Sequence, residues 1–167
     1  VMKKLFVVML SLILCIGLCA CGESEKKEDP LISDQIVQKM KDDYSIPITQ
    51  ELTYTEETDV NELLGRPNQY TSKTNWNDER DTDTVQMCID YPDDDYRDCT
   101  VEVFENESDA KEREDYLKDT WEIGGMLKQD QYMYRAGTAL LRVSYAITPD
   151  QAKEYEKAFN EIMGVEK

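Results

Sequence analysis

Thirty-six carboxylates, five cysteines and no histidine bound the chemistry that this 167-residue chain can attempt. Without imidazole there is no Ser-His-Asp or Cys-His relay and no histidine-ligated metal. Acid–base work falls to carboxylates, and a catalytic pair needs one carboxyl buried with a raised pKa, which a sequence does not display. The run Asn75-x-Asn77-x-Glu79-x-Asp81-x-Asp83 alternates oxygen side chains as a calcium loop does. It lacks the glycine at the sixth position and the bidentate acid at the twelfth that an EF-hand uses, so no metal and no cofactor are expected. Ser72-Lys73 sets a hydroxyl beside an amine, but neighbouring strand residues point to opposite faces. The thiols fall into two groups: Cys15, Cys19 and Cys21 end an uncharged run, whereas Cys88 and Cys99 stand in the body of the chain.

Lys3 and Lys4 precede that run, which carries no charge from Leu5 to Ala20 and closes on Leu18-Cys19-Ala20-Cys21. A basic start, an apolar stretch and small residues before a cut make a secretory signal. With cysteine after the cut, the pattern resembles the lipobox of bacterial lipoproteins. The resemblance implies that residues 1–20 are removed, that Cys21 is the lipidation site and becomes the mature N-terminus, and that the protein sits on the outer face of the bacterial cytoplasmic membrane. A transmembrane reading is opposed by a run short of the roughly 20 residues of a span, and by the acidic rather than basic segment that follows. Two acyl chains, at about 0.8 kcal/mol per buried methylene, hold a soluble domain where one chain holds it only marginally. Residues 21–29 form the lipidated N-terminus and a polar tether, whose last eight residues reach at most about 28 Å. Residues 30–167 remain as one domain.

The 147 residues after the signal hold all 36 acids against 17 basic side chains, a formal charge of −19. Such a chain has no basic footprint for nucleic acid and no polybasic segment for an anionic leaflet. Its membrane contact is expected through the lipid on Cys21, and its partner is expected to be a basic peptide or protein of the envelope. Export permits disulfides, so Cys88 and Cys99 are expected to pair, closing a loop of about a dozen residues for roughly 3 kcal/mol. A regular hairpin would set Cys88 on the wrong face, so the bridge requires a bulge or a loose loop.

The elements that would carry these groups can be read in order. Asp29-Pro30 opens a helix with Ile32, Ile36, Val37, Met40 and Tyr44 on one stripe, stopped by Pro47. Ile46 to Thr55 alternates as a strand. Asp59-Val-Asn-Glu62 reads as a capping box opening one or two helical turns through Leu63 and Leu64 to Gly65. Tyr70 to Trp76 reads as a strand, and Val85-Gln-Met-Cys-Ile89 faces Cys99-Thr-Val-Glu-Val103 as a hairpin within an acidic stretch. A charged helix follows Glu105-Asn-Glu-Ser108, with Ala110, Leu117 and Trp121 on its stripe and Gly124-Gly125 at its end. Tyr132–Tyr134 and Thr138–Tyr145 make a second hairpin whose register stays open between a two-residue and a three-residue turn. Thr148-Pro149-Asp150-Gln151 caps a last helix burying Ala152, Tyr155, Phe159 and Ile162. The fold class is α+β: a twisted antiparallel β-sheet with α-helices packed on one face.

Tyr54-Thr-Glu-Glu-Thr-Asp59, Leu63-Leu-Gly-Arg-Pro-Asn-Gln-Tyr-Thr-Ser-Lys73, Val101-Glu-Val-Phe104, Leu140-Leu-Arg-Val-Ser144 and Thr148-Pro-Asp-Gln-Ala-Lys-Glu-Tyr155 resemble a family of small uncharacterised secreted or lipid-anchored proteins of Gram-positive bacteria. The resemblance covers most of residues 50–160 and implies location and fold, with no catalytic residues to carry over. Ten tyrosines are present, and Tyr132 and Tyr134 are the candidate interaction surface. The expected function is a lipid-anchored, non-catalytic binding module. The alternative is a small carboxylate-based cell-envelope hydrolase.

Overall fold

Local sequence signals start and stop most elements of the computed structural model, which describes residues 30–123 and 131–165. The signal, Cys21, the tether and the Gly124-Gly125 stop lie outside the described residues. Helix α1 (Ser33–Tyr44) begins three residues past Pro30, with the Gln35 side chain accepting from the Ile32 amide. It ends where Ser45 turns left-handed ahead of Pro47. Strand β1 (Ile48–Thr53) follows, and β2 (Tyr70–Asp78) comes after a long turn-rich loop. Helix α2 (Thr82–Asp90), β3 (Cys99–Phe104) and helix α3 (Glu107–Ile123) lead to the hairpin β4 (Gln131–Ala136) and β5 (Ala139–Ser144). Helix α4 (Pro149–Ile162) closes the chain with the expected box: Gln151 N–H bonds Thr148 Oγ1, and Gln151 Oε1 accepts from the Thr148 amide.

The strands form one antiparallel sheet in the order β1-β2-β3-β5-β4. Because side chains alternate across a strand, the register assigns each residue to a face. One face carries Trp76, Cys99, Val101, Val103, Leu141 and Val143, covered by Ile36, Val37 and Met40 of α1 and by Ala152, Tyr155, Ala158 and Phe159 of α4. Fully buried side chains of this size are each worth about 1.5–3 kcal/mol. The class is α+β as expected, and two helices share one face; α3 lies over the other, where Tyr70, Phe104, Ala110 and Leu140 make a smaller core.

Two expected elements take another form. Residues 85–89 are not a strand: Asp81 accepts from the Thr84 amide and starts α2, and β3 takes β2 as its neighbour instead. Five alternating residues fit a short helix flank as well as a strand, and the cap decides between them. Residues 59–64 form turns rather than a helix: the Glu62 amide bonds the Asp59 carbonyl, and the Asp59 carboxylate takes the amides of Leu63 and Leu64. In the second hairpin Ala136 pairs Ala139, so the turn is Gly137-Thr138 and the positive φ falls on Gly137.

Candidate functional site

The sheet face that carries the smaller core also carries a row of polar side chains. Lys73, Asn75 and Asn77 of β2 line it beside Thr100 and Glu102 of β3, and all five are buried. Register places Lys73 opposite Glu102, Asn75 opposite Thr100, and Thr100 opposite Arg142 of β5. Charges withdrawn from water must be paired. Glu102, with no exposed surface, accepts from Arg113 of α3 at 3.0 and 3.1 Å and from Arg142 at 3.4 Å. Burial alone would raise its pKa; Arg142 and Arg113 outweigh it and hold the carboxyl below its ordinary value.

The second anchor is Asp59, in the loop between β1 and β2. Its carboxylate accepts from Tyr70 Oη at 2.6 Å, Lys73 Nζ at 3.1 Å and the amides of Leu63 and Leu64 at 2.9 and 3.1 Å. Burial pushes this carboxyl up, but the bonds from Tyr70, Leu63, Lys73 and Leu64 prevail and hold it well below the usual carboxylate range. The Lys73 ammonium also lies 4.2 Å from the centre of the Tyr54 ring. Tyr54 Oη in turn bonds Asp95 and accepts from Asn75 Nδ2, tying the 91–98 segment to the sheet.

Over this knot the loop encloses a concavity of about 570 Å³, lined among others by Glu56, Glu57, Val60, Glu62 and Arg66. Glu62 pairs with Arg66, Glu56 and Glu57 have no ion pair among the described residues, and Val60 is 78% exposed. Gly65 is favoured here by its φ of +75°; a Cβ would meet only the movable end of the exposed Glu56 side chain. The concavity can hold a cationic group with an apolar stem against Val60.

The structure places the other expected residues as follows. Cys88 and Cys99 do not form a bridge; both thiols are free. Cys99 faces the main core beside Trp76 and accepts from the Ser144 amide, whereas Cys88 accepts from Asn77 on the polar face, so the sheet stands between the sulfurs. Burial pushes the Cys99 thiol up to about 12. Tyr132 and Tyr134 are half-buried against the main core, with the Tyr132 ring 4.2 Å from that of Tyr145. Burial, with the nearby Glu156, pushes the Tyr134 hydroxyl up to about 12. Ser72 and Lys73 diverge, with Ser72 Oγ taking the Ser33 amide on one face and Lys73 reaching Asp59 on the other. Among the described residues no three acids or cysteines converge to hold a metal, and no helix is long and apolar enough to cross a membrane. Sequence reasoning did not find the Asp59–Lys73 and Glu102–Arg113–Arg142 groups; charged residues at Lys73 and Glu102 inside otherwise strand-like runs were the available signal.

No family model matches the chain, and no curated protein and no solved structure matches it either.

Proposed function

We propose that the chain is a lipid-anchored, non-catalytic binding module on the outer face of the bacterial cytoplasmic membrane, and that its partner is a basic peptide or protein of the envelope. The lipobox-like run ending at Cys21 supports the location, and the segments resembling small lipid-anchored Gram-positive proteins agree with it. The observation that carries the non-catalytic reading is the state of the buried acids. Asp59 and Glu102 are each held ionised by cations and hydrogen bonds, whereas a general acid in a carboxylate hydrolase must keep its proton near neutrality. Asp78, also buried, is taken by Arg80 and Tyr155. Asp81 and Asp109 are buried as well, Asp81 accepting from the Thr84 amide and Asp109 from Asn106. Of the exposed acids, Glu56 and Glu57 at the 56–66 concavity are the best-placed for a lysine or arginine side chain. Tyr132 and Tyr134 serve the partner less directly, since half of each is spent on the core.

The test uses the full lipidated protein in vesicles of neutral lipid, probed with a lysine–leucine peptide and, separately, with purified peptidoglycan. Saturable peptide binding that weakens several-fold in Glu56→Gln/Glu57→Gln supports the module. Release of soluble peptidoglycan fragments that stops on replacing one carboxylate overturns it in favour of the hydrolase.

A further inference from the structure

A second hollow, of about 260 Å³, lies between the 63–69 turn and α3, lined by Leu63, Asn68, Gln69, Glu112, Arg113 and Tyr116. Its walls are held from behind. Arg113 is fixed by its two bonds to buried Glu102, so its guanidinium plane has one orientation. The opposing turn is pinned by backbone bonds from Gly65 to Tyr70, Arg66 to Leu63 and Gln69 to Arg66, and Asn68 sits within it at φ +62°. Glu112, Arg113 and Tyr116 fall at helical neighbour spacing and so share one face of α3.

What these walls present is a set of groups with unused capacity. Asn68 and Glu112 are exposed and Gln69 is half-buried, so their polar groups face solvent and are open to a ligand. Tyr116 is 59% exposed at the mouth of the hollow. Planar donors and acceptors around an exposed aromatic ring match the alternating hydroxyls and polarised C–H face of a pyranose. Charge narrows the class further. A cation is disfavoured because Arg113 already stands 5.8 Å from the Tyr116 ring centre, and an anion because Arg113 is bonded to Glu102 while the Glu112 carboxylate stands in the same wall. A neutral ligand remains, and a space below the roughly 300–1,000 Å³ of drug-sized pockets suits a single ring.

We propose that the hollow between the 63–69 turn and α3 is a subsite for one neutral pyranose ring of an envelope glycan, with Tyr116 stacking on the sugar face and Asn68, Gln69 and Glu112 bonding its hydroxyl or acetamido groups. This site is separate from the acidic concavity at 56–66 and takes a different ligand. It would let an anchored module dwell on the glycan layer while its acidic face meets a basic partner.

The experiment titrates the full chain, ¹⁵N-labelled in detergent, with N-acetylglucosamine oligosaccharides and, in a parallel arm, glucose oligosaccharides. The expected result is saturable amide shifts confined to 63–69 and 112–116 with at least one sugar, a loss of affinity of tenfold or more in Tyr116→Ala, and retention in Tyr116→Phe. Tyr116 is exposed, so its removal leaves the remaining spectrum in place. Lysine–leucine peptide binding is expected to be the same in Tyr116→Ala and wild type, which separates this proposal from the basic-partner reading. Absence of shifts with both sugar series, or shifts that survive Tyr116→Ala, overturns it. So does a lysine–leucine peptide that shifts these same residues.

Discussion

Asp59 collects five hydrogen bonds on one buried carboxylate, and one of its donors is the equally buried Lys73. Asp59→Asn would leave that ammonium without a counter-charge, and breaking a buried pair from one side costs about 3–5 kcal/mol. The midpoint of urea unfolding measures it, and a loss under about 1 kcal/mol would mean that water replaces the carboxylate. The same group sets a pH dependence. Its folded pKa lies below its unfolded one, so the stability it contributes is complete above the unfolded value of roughly 4 and is lost as pH falls through the folded value. Glu102 acts in the same sense. Wild-type melting temperature should therefore fall steeply under acid, and less steeply in Asp59→Asn; equal slopes would remove Asp59 from the account. For the thiols, half-buried Cys88 should react with a thiol reagent in the native protein and buried Cys99 only after unfolding. If unfolded, unreduced protein offers neither thiol, the two are bridged. The sequence paired Cys88 with Cys99, whereas both thiols are free, and the sheet between them depends on β2 pairing β3, which no local pattern announces. Asp59 was legible only as a cap, because its partners Tyr70 and Lys73 lie on a strand that the loop has to fold back to meet.

Elements differ in how much packing holds them. Helix α4 buries Ala152, Tyr155, Ala158 and Phe159, and Tyr155 stacks on Trp76 while bonding Asp78. Helix α2 has no fully buried residue; its ties to the sheet are Gln50 Nε2 to the Val85 carbonyl and Asn77 to Cys88. Gln50 reaches α2 because β1 bulges between Thr49 and Leu52, where Gln50 takes φ +55°. Local opening should consequently be far easier in α2, and its amides should exchange at least about a hundredfold faster than those of α4, a difference of about 2.7 kcal/mol. Comparable protection in the two helices would contradict this. The contrast also accounts for what could be read in advance. Strong cap and stripe agree at α4, so that helix is legible from Thr148 to Ile162. At α2 the apolar residues Val85, Met87 and Ile89 alternate, no stripe is buried to enforce one period, and only the Asp81 cap distinguishes helix from strand. The position of α3 over the second face was not legible, because Glu102 and Arg142 look like solvent-facing strand residues until Arg113 is brought across them.

At the scale of the whole molecule, internal pairing and net charge act at different ranges. Asp59, Glu102 and Asp78 are paired locally, so most of the excess charge belongs to the surface, −17 for the chain and −19 on the reading that residues 1–20 are a removed signal. On the lipid-anchored reading, Cys21→Ser should abolish fatty-acid labelling and processing, and wild type that takes up no labelled fatty acid would end that reading. A tethered acidic domain then acts as a local field. It extends over the Debye length, about 30 Å at 0.01 M salt and about 8 Å at 0.15 M. Steering of this kind raises association rates by roughly 10- to 1,000-fold and leaves dissociation to short-range contacts. Exposed ion pairs supply only about 0–1 kcal/mol each, so residence on the domain must come from apolar contact such as that offered by Val60 in the 56–66 concavity. For a lysine–leucine peptide and the vesicle-anchored protein, raising salt from about 0.01 to 0.15 M should lower the on-rate at least tenfold while the off-rate changes by less than about twofold. Val60→Ser should do the reverse, raising the off-rate and sparing the on-rate. Stopped-flow mixing resolves both constants, and an on-rate indifferent to salt would show that the acidic surface serves solubility alone.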